Sequence, residues 1–74
     1  MLQVDLFAGT QPLYTGHAEQ VVLPGEEGEL SVFDCHAPMV CALGAGTVCI
    51  DDRQFLIEGG MASVWRNTLI VVGS

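Results

Sequence analysis

The chain has no lysine. Across its 74 residues only Arg53 and Arg66 carry a fixed positive charge, against nine Asp and Glu, for a formal net charge of −7. Nucleic-acid binding draws its affinity from Lys and Arg that neutralise phosphates, so this composition excludes it. The same shortage disfavours attachment to an anionic membrane surface. A partner drawn in by charge is therefore basic.

Other features are also missing. No apolar run approaches the roughly 20 residues needed to cross a bilayer. The opening MLQVDLFAG lacks a basic segment ahead of an apolar one, so a soluble chain without a secretion signal is expected. The three cysteines, Cys35, Cys41 and Cys49, are odd in number and have no CxxC spacing. They read as reduced thiols in a cytosol-like compartment, serving as small hydrophobes rather than as reagents. Long helices are hard to place, because nine Gly and three Pro interrupt the sequence along its length.

Half of the residues are apolar and 15% are charged, which is too little charge for a disordered chain. The length allows one domain, residues 1–74, with a small core that buries about 60% of the unfolded surface. Period-2 alternation supplies the elements. Leu2, Val4 and Leu6 alternate with Gln3, Asp5 and Phe7. Residues 19–23 form a second strand, ended by Pro24-Gly25, and residues 30–33 and 39–43 form short strands around a corner at 34–38. Residues 47–58 read as a hairpin about Asp51-Asp52-Arg53, and 61–72 as a hairpin about Arg66-Asn67. Gly9-Thr10-Gln11-Pro12 and Gly44-Ala45-Gly46 are turn chemistry. Many short strands with this punctuation predict an all-β fold, an antiparallel sandwich or flattened barrel.

The stretch 21–38, VVLPGEEGELSVFDCHAP, concentrates Glu26, Glu27, Glu29 and Asp34 with His36. Its carboxylates lack the alternating ligand spacing of an EF-hand loop, and Gly25 and Gly28 read as turn glycines, so a calcium site is not expected. A solvated acidic hairpin tip is the simpler reading of 25–29, and a partner-contact tip the sharper one. Cys35-His36 suggests a thiol nucleophile, but neighbours on an extended strand point to opposite faces, and nothing in the sequence orients His17 as the base instead. Cys35, His36, Cys41 and Cys49 lack the paired spacing of a zinc site. Gly44-Ala45-Gly46 has Cys49 where a dinucleotide fingerprint needs its third Gly. No catalytic residue, cofactor or metal is assigned. Taken on its own, His36 ahead of Ala37-Pro38 reads as a corner residue satisfying backbone groups.

The order of these pieces is specific. Tyr14-x-Gly16, then residues 21–30 (VVLPGEEGEL), then His36-Ala37-Pro38 resembles the epsilon subunit of F-type ATP synthases, whose mitochondrial counterpart is called delta. The likeness continues through Gly46-Thr47-Val48-x-Ile50, Phe55-x-Ile57-x-Gly59-Gly60-x-Ala62-x-Val64, Asn67 and the closing run 68–72, so it covers nearly the whole chain.

The resemblance implies a flattened β-sandwich of about ten short strands. It implies a non-catalytic central-stalk subunit that links the gamma subunit to the membrane c-ring and couples ion translocation to ATP synthesis. Glu27, Glu29, His36 and Ala37 are the ring contacts it suggests. It further implies a position on the cytoplasmic face of a bacterial inner membrane, peripheral and without insertion, with the choice of proton or sodium ion belonging to the ring. The alternative is a free-standing β-sandwich that binds another basic protein or a small ligand. Asp34-Cys35 stands where family members commonly have Pro-Gly, so a differently shaped loop is expected there. The sequence stops at Ser74, and the C-terminal helical hairpin of typical members is expected to be absent, with the inhibition of ATP hydrolysis it can exert.

Overall fold

A computed structural model describes all 74 residues, and every regular element in it is a strand. The strands are β1 (Leu2–Ala8), β2 (Gln11–Ala18), β3 (Gln20–Gly25), β4 (Gly28–Phe33), β5 (Met39–Leu43), β6 (Gly46–Ile50), β7 (Arg53–Ile57), β8 (Gly60–Trp65) and β9 (Thr68–Gly73). They hydrogen-bond in the order β2-β1-β9-β8-β5-β3-β6-β7, with β4 added on β3. This path curls on itself so that one face of every segment turns inward. The all-β expectation holds, with nine strands where about ten were expected.

Alternation in the sequence drives the curl. Leu2, Val4 and Leu6 of β1 are fully buried, as are Val21 and Leu23 of β3 and Leu69 and Val71 of β9. Fifteen apolar side chains form a single core, and Tyr14, Leu30, Met39, Cys41 and Phe55 pack around it. Each fully buried Leu, Ile or Val contributes about 1.5–3 kcal/mol relative to exposure. No polar side chain is buried with them, so the core carries no desolvation cost for polar groups.

Three details depart from the sequence reading. First, β1 and β9 run parallel, from Gln3↔Thr68 to Ala8↔Gly73, so the sheet is not wholly antiparallel. Second, residues 11–18 form β2, which was not expected as a strand. Only Ala18 of it is buried, because β2 is an edge lying along β1. Gln11-Pro12 thus belongs to a strand rather than to the turn before it. Third, Pro24-Gly25 does not end β3 but extends it. Pro24 pairs opposite Glu29, and its carbonyl accepts from the Gly44 amide at 2.8 Å.

The two ends of the hydrogen-bonded path meet through side chains. Tyr14 of β2 and Phe55 of β7 pack edge to face with centroids 6.2 Å apart, and the Arg53 guanidinium lies over both rings. Gly60, at φ +146°, allows β8 to approach β9 closely. A Cβ there would lie 2.1 Å from the Val72 carbonyl oxygen.

Candidate functional site

Glu27 and Glu29 stand on the β3–β4 hairpin. Gly25 pairs with Gly28, which leaves Glu26-Glu27 as a two-residue turn. Gly25 is needed here because a Cβ would sit 2.6 Å from the Gly28 oxygen and 2.9 Å from Leu30 Cδ2. Gly28 takes φ +133°, a conformation glycine adopts at no steric cost. The tip is braced against β5: the Glu26 amide donates to the Ala42 carbonyl at 3.1 Å, and the Gly44 amide to the Pro24 carbonyl. Glu26, Glu27 and Glu29 are all exposed. None of them forms an ion pair within the chain, where the only such contact joins the N-terminal amine to Asp34 at 3.8 Å. Arg53 and Arg66 lie instead over aromatic rings, Arg66 over Trp65. The tip is thus a rigid presentation of uncompensated negative charge.

His36 and Ala37 lie in the loop after β4. Cys35 adopts φ +62°, so it sits in a turn and not on an extended strand. This replaces the geometry on which a Cys35–His36 pair was judged from sequence. The His36 ring is half-buried, with Nδ1 2.7 Å from the Ala37 carbonyl oxygen. Asn67, in the β8–β9 turn, holds the loop. Its Oδ1 accepts from the Cys35 amide at 2.8 Å, and its Nδ2 donates to the Met1 carbonyl at 3.1 Å and to Asp34 Oδ1. Asn67 belonged to the sequence likeness, but its clamping role was not legible. Asn is among the few residues that tolerate the left-handed φ of +62° found there.

The four candidate residues are not gathered at one point. The acidic tip begins β4 and the His36 loop follows its far end, so about 17 Å of extended strand separates them at roughly 3.3 Å per residue. What joins them is β4 itself. Glu29, Ser31 and Phe33 are exposed along it, while Val32 is buried and Leu30 half-buried. The result is one continuous stripe from the acidic tip to the histidine loop, along a strand that pairs with β3 alone.

A second surface has no counterpart among the residues singled out from sequence. On the outer side of β1, β9, β8 and β5, the registers align Phe7, Val72, Met61 and Ala42 in one row. Asp5, Ile70, Ser63 and Val40 form the next, and Gln3, Thr68 and Trp65 a third. Met61, Trp65, Ile70, Val72 and Val40 are exposed, Val40 by 72% and Trp65 by 62%. A contiguous apolar patch of this kind on a small domain marks an interaction surface. The signal in the sequence is that 61–72 is apolar on both alternating sets, as in strands covered on both faces.

The cysteines are dispersed: Cys35 in the exposed turn, Cys41 on β5 and Cys49 on β6. Burial pushes the Cys41 thiol up.

Comparison with known proteins gives a consistent result. The family model described as "ATP synthase, Delta/Epsilon chain, beta-sandwich domain" matches residues 1–74. The chain is 36% identical over 77 residues to an "ATP synthase epsilon chain 2" of Ralstonia nicotianae, covering 97% of this chain and 55% of that protein. It is 33% identical over 76 residues to an "ATP synthase epsilon chain" of Bordetella parapertussis, covering 96% and 54%. To the chloroplastic epsilon chain of Tetradesmus obliquus it is 29% identical over 77 residues, covering 99% and 57%. The chain thus spans about half the length of the curated relatives it matches. Among solved structures, a chain in the central stalk and c-ring of the Tetrahymena thermophila mitochondrial ATP synthase superposes with a TM-score of 0.78. That match has 17% identity and covers 97% of this chain and 62% of the other, so it is a likeness of fold.

Proposed function

The chain belongs to the ATP synthase delta/epsilon chain β-sandwich domain family, and from that membership we propose that it is a non-catalytic central-stalk element linking a gamma subunit to a membrane c-ring. The observation that carries this reading is the match of the family model to every residue of the chain. In this reading the ring is met along β4. Glu27 and Glu29 engage basic groups on the ring's polar loops at one end, and His36 and Ala37 make contact at the other. Because the two ends lie about 17 Å apart along an extended strand, they touch different loops of the ring rather than one.

The apolar outer face carrying Met61, Trp65, Ile70 and Val72 is the surface for gamma. A single exposed ion pair contributes only about 0–1 kcal/mol. Affinity therefore comes chiefly from the apolar face, while the charged stripe sets register and direction. The domain works peripherally on the cytoplasmic side of the membrane, and coupling of ion flow to ATP synthesis depends on both attachments.

The test is reconstitution with Glu29→Lys, which reverses charge at an exposed position and leaves the core untouched. Ion pumping driven by ATP is expected to fall while the domain stays folded and bound to gamma. Pumping at the parental rate would remove Glu29 from the ring contact. Failure of the parental chain to co-purify with a gamma subunit would overturn the stalk reading itself.

A further inference from the structure

The two free strand edges near the acidic tip enclose a groove that shares Glu27 with the proposed ring contact and Val40 with the apolar outer face, and adds to them an unfilled edge of β5. Strand β4 pairs only with β3. Strand β5 pairs with β8 along its whole length, but on its other edge it meets β3 only at Leu43↔Gly25. The Ala42 carbonyl faces that second edge, since it accepts from the Glu26 amide. The amide and carbonyl of one strand residue point to the same side, and residues two apart share that side. The Val40 N–H and C=O therefore also face this edge, where the backbone bonds outside the strand ladders give them no partner.

Between the β3–β4 tip and β5 lies an open groove of about 360 Å³. Its apolar wall is formed by Leu30, Val40 and Cys41, and Glu26 and Glu27 stand at its mouth. No cation of the chain compensates these carboxylates, because both arginines are stacked on rings outside the groove.

We propose that this groove binds an extended, basic segment of another protein, which pairs with the Val40 edge of β5, inserts an apolar side chain against Leu30 and Cys41, and sets a Lys or Arg against Glu26 and Glu27. Edge pairing supplies main-chain affinity, and the groove and carboxylates supply selectivity. The segment would occupy an edge that is otherwise unfilled and prone to unwanted pairing. The proposal does not rest on the stalk reading, because it follows from the geometry of the isolated chain.

The test is titration of the isotope-labelled chain with a synthetic peptide of alternating Lys and Val, followed by amide chemical shifts. Saturable shifts centred on Val40, Ala42 and the Glu26-Glu27 turn are expected, with the Val40 amide gaining exchange protection. The double variant Glu26→Lys/Glu27→Lys, altered only at exposed turn positions, is expected to weaken binding by about tenfold or more, as removal of two charge-assisted contacts requires. Val40→Lys should weaken it similarly, while Leu56→Lys, at an 82% exposed site on β7, should leave it unchanged. No saturable shift at millimolar peptide, shifts centred on Met61 to Val72, or equal binding of a peptide with Glu in place of Lys would each overturn the proposal.

Discussion

Asn67 ties two other segments, the N-terminus and the loop after β4, to its own turn, and removing its side chain tests whether that clamp shapes the histidine loop. The substitution Asn67→Gly is the informative one. Asn67 sits at φ +62°, which glycine adopts freely, so the backbone of the β8–β9 turn survives while the hydrogen bonds are lost. The side chain makes three of them, to the Cys35 amide, the Met1 carbonyl and Asp34. All lie at the surface, so each is worth about 0.5 kcal/mol, the low end for a net hydrogen bond. Relief of the left-handed conformation and the extra unfolded-chain entropy of glycine act in opposite directions and largely offset. The expected loss is therefore about 1.5–2 kcal/mol, or about 6–15 °C in Tm for a domain of this size. Thermal unfolding by circular dichroism measures the loss, and faster exchange of the Cys35 amide assigns it to the loop. Asn67→Asp keeps an acceptor for Cys35 but sets a second carboxylate against that of Asp34, so it should lose more than Asn67→Gly at neutral pH. A Tm for Asn67→Gly within about 2 °C of the parent would refute the clamp.

Cys35→Gly is expected to stabilise the chain. The positive φ costs an L-residue about 1–2 kcal/mol, and glycine's added unfolded-state entropy returns about 0.5–1 of that. A net gain of about 0.5–1 kcal/mol should raise the urea midpoint, and a lowered midpoint would contradict the assigned turn. Gly60→Ala should cost more than about 3 kcal/mol, since its Cβ would meet the Val72 carbonyl oxygen at 2.1 Å; a parental urea midpoint would contradict the β8–β9 register. Because the thiolate is the reactive form and burial holds the Cys41 thiol protonated to higher pH, exposed Cys35 should be alkylated well before Cys41 as pH rises through the thiol range. Mass spectrometry of partial digests reads that order, and simultaneous labelling would count against it.

The sequence disclosed the strands whose side chains alternate strictly. Leu2-Val4-Leu6 announced β1, and the hairpins β6–β7 and β8–β9 followed from apolar runs around Asp51-Asp52 and Arg66-Asn67. The last pair adopts φ of +48° and +62°, as a tight hairpin turn demands. Strand β2 was hidden because Gln11, Pro12, Thr15 and Gly16 carry no alternating apolar signal; it forms on the template of β1. The parallel pairing of β1 with β9 joins residues more than sixty positions apart, which local periodicity cannot encode. The acidic turn was legible from its glycines. The strand expected at 30–33 already set that turn apart from His36, and β4 proves to begin two residues earlier, at Gly28. The apolar outer face was visible in 61–72 only as an excess of hydrophobic residues, and became a surface once the registers aligned it.

That β4 is bonded on one side only has a mechanical consequence. A force applied along its outer stripe enters the body through one ladder, the pairing with β3 from Gly25↔Gly28 to Gln20↔Phe33, reinforced by the brace at the tip and the Asn67 anchor at the other end. Strand β9, by contrast, is flanked by β1 and β8. Like β2 and β7 at the ends of the path, β4 is bonded less fully than the inner strands, and it is tethered at both of its ends. A load borne along the stripe is therefore expected to strain the β3–β4 ladder before it reaches the doubly flanked β9.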